Sequence, residues 1–259
     1  MAVAVLVHGL YHLPEHFALV AKGLQAAGNE VVVPELHRGS LKADTAAVQA
    51  AIDELEEPPV VLGHSYGGSV ITGLRGARHL VYLAAFVPDV HESAASLGGT
   101  SPQLREAIVP EPDGFTRLQP NRATDVFYAD CPEHLAAWAV NLLCAQAPGC
   151  GRGVPEYHSW KNTPSTYVVC MEDRAIAPDL QRMMAKRCEI VREWRTGHSP
   201  FIGQPQLVIE LLQELLGTPS APPSATDNAL HGTTRSRPTT RGKHPPAHAG
   251  HRAGPSSPP

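Results

Sequence analysis

No apolar run in the chain approaches the roughly 20 residues that a membrane-spanning helix needs, so no such helix is expected. The N-terminus, Met1-Ala-Val-Ala-Val-Leu-Val7, is apolar but carries no basic residue and runs directly into His8-Gly9. It reads as a first core strand and not as a secretion signal. Cysteine is scarce and odd in number: Cys131, Cys144, Cys150, Cys170 and Cys188. An odd set without an export signal argues against a disulfide framework and for free thiols in a reducing, cytoplasmic setting. Cys131, His134, Cys144 and Cys150 lack the compact spacing of a zinc knuckle. His8, His12 and His16 recur every four residues, but Gly9 and Pro14 break any helix that would align them. No metal is therefore expected.

A dense basic run is missing too. Beyond Gly217 the chain turns to Pro, Ser, Thr, Gly, Ala and His, with one leucine and no aromatic residue. Such a segment buries too little apolar surface to offset its ordering entropy, so residues 217–259 are expected to be a disordered tail. Its five basic residues, against Asp227 alone, give it +4, which leaves −8 on residues 1–216 of a chain whose total is −4. The basic residues are scattered and lack interleaved aromatics, so neither nucleic acid nor a membrane surface is an expected partner.

What is present is an alternation. Short apolar runs at Val3–Val7, Glu30–Val33, Val60–Leu62, Leu80–Ala84, Thr166–Cys170 and Glu189–Trp194 are rich in β-branched residues. Helical spacing fills Phe17–Ala27, Thr45–Leu55 and Pro205–Leu216, the first ending at Gly28 and the last at Gly217. Strands separated by helices of this length predict βαβ units and a mostly parallel α/β sheet of about six strands. One interval breaks the rhythm. Between Ala84 and Thr166 the chain holds Phe115, Phe127, Tyr128, Trp138, Tyr157 and Trp160, and is too long for one crossover. It is expected to form a helical cap over roughly residues 89–163, above the strand ends where open α/β sheets bind ligands.

At Leu62 to Gly68, "LGHSYGG" places Ser65 between Gly63 and Gly67 just past a buried strand. A tight strand-to-helix turn alone would ask for the glycines. The same turn would also force a serine hydroxyl out of the sheet top, where it meets substrate. A serine needs a base, and the base needs a partner that orients it. "RTGHSPF" puts His198 on the loop after the last strand, and "YVVCMEDRAIAP" puts Glu172 and Asp173 just past the strand before it. The order serine, acid, histidine is complete, but position alone does not choose between the two acids. An oxyanion needs two backbone donors, for which the amide of Tyr66 and that of Leu10 in "VLVHGLYH" are placed.

Together, "VLVHGLYH", "VVLGHSYGG", "LAAFVPD", "YVVCMEDRAIAPDLQRMMA" and "TGHSPF" resemble the α/β-hydrolase superfamily over residues 3–216. The resemblance is strongest to the branch of plant methylesterases, salicylate-binding methylesterase, hydroxynitrile lyases and similar bacterial carboxylesterases. It implies Ser65 as nucleophile, His198 as base, Asp173 as third member, and the Leu10 and Tyr66 amides as oxyanion donors. It further implies ester hydrolysis through an acyl-enzyme, without cofactor or metal, on a small-molecule ester. The aromatic cap and the lack of a basic cleft suggest an apolar substrate of small or medium size. Hydroxynitrile lyases of this branch carry a lysine after the histidine, where this chain has Ser199. A non-catalytic binding protein on the same fold would be expected to have lost a member of the triad.

Overall fold

The structure, a computed structural model, describes residues 1–36 and 39–217, so the expectation for the tail beyond Gly217 lies outside the described residues. In chain order the strands are β1 (Val3–Val7), β2 (Glu30–Val32), β3 (Val60–His64), β4 (His79–Leu83), β5 (Ile108–Pro110), β6 (Thr116–Leu118), β7 (Ser165–Cys170) and β8 (Ile190–Trp194). Six of them form one wholly parallel sheet in the order β2-β1-β3-β4-β7-β8. The inner strands β1, β3 and β7 are buried along their whole length, which is why they read as continuous apolar runs and not as alternating ones. The edge strand β8 is exposed at Ile190 and Val191.

The helices are α1 (Ala18–Ala26), α2 (Leu41–Asp53), α3 (Gly67–Thr72), α4 (Pro102–Ala107), α5 (Pro120–Phe127), α6 (Glu133–Asn141), α7 (Pro178–Ala185), α8 (Pro200–Gly203) and α9 (Pro205–Leu216). Helix α2 starts where the Ser40 hydroxyl accepts from the Ala43 amide, and α9 stops where Gly217 turns left-handed at φ 73°. On one face of the sheet, Val20 and Leu24 of α1 and Val208 and Leu212 of α9 cluster with Ala4, Leu6 and Leu62. On the other, Val48 and Ile52 of α2, Val70 and Ile71 of α3 and Met184 of α7 cluster with Val5, Val61 and Leu80. Each of these buried valine, leucine, isoleucine and methionine side chains contributes about 1.5–3 kcal/mol, so the two layers clamp the sheet from both sides.

The interval between β4 and β7 holds α4, α5 and α6, as expected of a cap, together with an antiparallel ribbon of β5 and β6. The ribbon strands are three residues each, too short for alternation to reveal them in the sequence. All five cysteines are unpaired thiols. Among the described residues no helix is long and apolar enough to cross a membrane.

Candidate active site

The turn after β3 is held tightly. Ser65 has φ 54°, a left-handed conformation that costs a non-glycine residue about 1–3 kcal/mol and persists only where its surroundings impose it. Its amide donates to the Leu83 carbonyl at 3.2 Å, and its carbonyl accepts from the amides of Gly68 and Phe86, both at 3.1 Å. A Cβ on Gly67 would run into the Val7 carbonyl, and one on Gly68 into that of Phe86. The glycines therefore let α3 start directly against β1 and the end of β4, and the serine is presented at the sheet top.

Ser65 lies on the wall of a cavity of about 430 Å³ that Leu10, Tyr66, Phe86, Phe127 and Ile176 also line. The loop after β1 closes on the serine because Gly9 has no side chain: a Cβ there would lie 2.9 Å from the Ser65 Cβ. Neither the Leu10 nor the Tyr66 amide makes a hydrogen bond among the described residues. Both residues line the cavity together with Ser65. The Tyr66 side chain is turned the other way, its hydroxyl donating to buried Asp44 on α2 at 2.7 Å.

Past β8, His198 is buried, and its Nδ1 stands 2.8 Å from Asp173 Oδ2. The Asp173 carboxylate also accepts from the amides of Ala175 (2.6 Å) and Ile176 (3.0 Å) and from Gln181 Nε2 (2.7 Å). Four donors fix its plane. Glu172, by contrast, is exposed, so the structure separates the two acids that position alone left open. The opposite ring nitrogen, His198 Nε2, is buried without a partner. Phe127, at the end of α5, stacks on the His198 ring at 5.1 Å between centroids, so the insertion supplies one wall of the site.

Several supporting residues escaped the sequence reading. Gln181 sits on the inward face of α7 with Met184 and Ala185, where a polar residue at helical spacing among buried neighbours was the available signal. Its Oε1 accepts from the Cys170 amide at 2.9 Å, tying the acid to the end of β7. Asp130, between α5 and α6, accepts from the Gly197 amide at 2.7 Å and so holds the loop one residue before His198. The Asp130 contact leaves no trace in local sequence, because it pairs segments 67 residues apart.

Histidines form a layer beneath the site. His64 Nε2 donates to the His198 carbonyl at 2.9 Å, and His12 Nδ1 donates to the Leu10 carbonyl at 3.0 Å while its Nε2 accepts from the Tyr128 hydroxyl at 3.1 Å. His12 and His16 meet edge to face, 4.6 Å between ring centroids, although no continuous helix joins them. Burial, and then the neighbouring histidines, hold His12 and His64 well below the ordinary histidine pKa. At a pH between their own values and about 6.5, the unfolded chain therefore binds protons that the folded chain does not. Stability should be complete above about pH 6.5 and fall below it, with a slope approaching about 1.4 kcal/mol per pH unit for each histidine. Urea midpoints measured from pH 7.5 down to about pH 5.5 check this; a flat profile would contradict the buried neutral layer.

The sequence of residues 4–211 matches the model of the Alpha/beta hydrolase family. The chain belongs to that family. An α/β hydrolase of Aspergillus novofumigatus is 30% identical over 242 residues, covering 82% of this chain and 96% of the fungal protein. A carbendazim-hydrolysing esterase of a Nocardioides strain is 34% identical over 129 residues, 43% of this chain and 50% of that one. Among solved structures, a pyrethroid hydrolase of Sphingobium faniae superposes with a TM-score of 0.74 at 20% identity, covering 85% of this chain and 98% of its own. The α/β-hydrolase fold is therefore shared with these proteins.

Proposed function

We propose that this α/β hydrolase cleaves carboxylic esters through an acyl-enzyme on Ser65. One observation carries the reading: a buried histidine is held by a fully hydrogen-bonded carboxylate on one nitrogen and is unpartnered on the other, and Phe127, stacked on that histidine, lines the same cavity as the strained Ser65. In this reading Ser65 Oγ attacks the ester carbonyl as its proton passes to His198 Nε2. The imidazolium so formed is stabilised by Asp173, and the Leu10 and Tyr66 amides receive the negative oxygen. Collapse of the tetrahedral intermediate breaks the bond to the alcohol, which leaves with the proton from His198. Water, deprotonated by the same nitrogen, then attacks the acyl group, and its departure as carboxylic acid restores Ser65. Every proton and electron pair is accounted for by these groups and water, so no cofactor enters the scheme.

Ester chemistry among the relatives supports this, since one of them is an esterase by its name. The residue after the histidine, Ser199, is buried and uncharged, and offers no cation to hold a departing cyanide. The test is turnover of 4-nitrophenyl esters of increasing acyl length. An initial burst of nitrophenol equal to the enzyme concentration is expected on the better substrates. A folded protein that turns over none of them would refute the proposal.

A further inference from the structure

The wall of the cavity beside Ser65 is largely apolar, as Leu10, Phe86, Leu104, Ile108, Phe127 and Ile176 make it. Two cations interrupt it. Arg105, on the last turn of α4, and Arg152, on the loop before β7, both line the cavity, and no Asp or Glu does so among the described residues. The insertion between β4 and β7 contains four arginines. Arg117 and Arg122 are paired with Glu111 (3.3 Å) and Glu106 (2.8 Å) respectively. The two that line the cavity have no carboxylate partner. The Arg105 guanidinium reaches only the Thr100 carbonyl, at 3.3 Å, and that of Arg152 makes no hydrogen bond or ion pair among the described residues. This contrasts with an acidic domain, in which acids to pair with are plentiful.

We infer that the substrate is an anionic ester: one that carries a carboxylate, away from the scissile bond, which Arg105 and Arg152 receive while the apolar wall holds the rest. The inference rests on the ester-hydrolase reading and names its substrate class. A guanidinium fork matches a carboxylate in geometry as well as charge, and a positive site on an acidic surface steers an anion to the one place where it is attracted. The sequence reading expected no basic cleft, because residues 105 and 152 lie far apart in the chain and neither belongs to a basic run. The fold brings them to one cavity.

Two pairs of probes test this. For binding, 4-butyramidobenzoate and its neutral counterpart 4-butyramidobenzamide are compared by calorimetry, since an amide in place of the ester reads affinity without turnover. The anion should bind about tenfold tighter, given the modest strength of partly exposed charge pairs. The preference should vanish in the double variant Arg105→Gln/Arg152→Gln and shrink at about 0.5 M NaCl, where screening is strong. For catalysis, 4-butyryloxybenzoate and 4-butyryloxybenzamide are hydrolysed by both proteins, and the anionic-to-neutral ratio of kcat/KM should fall about tenfold in the double variant. Equal affinity for the two amides, or a preference that survives removal of both arginines, would overturn the inference. Anion-selective binding with no turnover of either ester would leave the arginine site standing and refute the hydrolase reading instead.

Discussion

Ser65→Ala should leave a folded protein whose kcat on a simple ester has fallen by about 10⁴–10⁶, the range seen when an acylated serine is removed from a triad. The expectation follows from the chemistry: no other side chain in the scheme can form the acyl-enzyme, and what remains is binding and oxyanion stabilisation without a nucleophile. Stability should hardly change. The hydroxyl takes no part in holding the turn, which depends on backbone bonds from Ser65 to Leu83, Gly68 and Phe86 that alanine retains. Purified variant and parent are compared by thermal melting and by ester turnover. Near-parental turnover in a folded Ser65→Ala protein would remove the mechanism.

Asp173→Asn should cost about 10⁴ in kcat, because an amide that presents its NH₂ to His198 favours the wrong tautomer of the imidazole. The surroundings sharpen this. Asp173 receives four donors, two backbone amides, Gln181 and His198, and an asparagine cannot accept from all of them. Either the amide nitrogen faces His198 or it faces another donor, so some loss of stability should accompany the loss of rate. Glu172→Gln changes an exposed carboxylate and should alter kcat by less than about threefold, as expected of a surface substitution away from the site. Both variants are assayed on one activated ester. A crippled Glu172→Gln beside a nearly normal Asp173→Asn would reverse the assignment.

Much of the fold was legible because its signals are local. Buried parallel strands announce themselves as apolar runs, and the six strands of the parallel sheet fall within a residue or two of the runs in the sequence. Ser65, an acid at Glu172 or Asp173, and His198 stood out as candidates for a related reason: each lies just past a strand end, in the order serine, acid, histidine. The choice between Glu172 and Asp173 was not legible from position, since neighbouring residues share a loop and only the direction of their side chains separates them. The packing beneath the site was hidden for the same kind of reason. His64, Gln181 and Asp130 act on His198 and its loop through contacts spanning from 8 to more than 100 positions. The spacing of His8, His12 and His16 was visible, but its outcome was not. A short 3-10 turn at Pro14–Phe17, and not a helix, brings His12 against His16. The β5–β6 ribbon carries too few residues to show a period at all.

Whether Ser65 is a nucleophile activated by His198 and Asp173 is read by covalent trapping. The protein is treated with a fluorophosphonate, digested, and the modified peptide is mapped by mass spectrometry. One adduct is predicted, on the peptide containing Gly63-His64-Ser65-Tyr66-Gly67, absent in Ser65→Ala and formed far more slowly in Asp173→Asn. A folded protein that stays unlabelled, or one that is labelled on another residue, would contradict the claim.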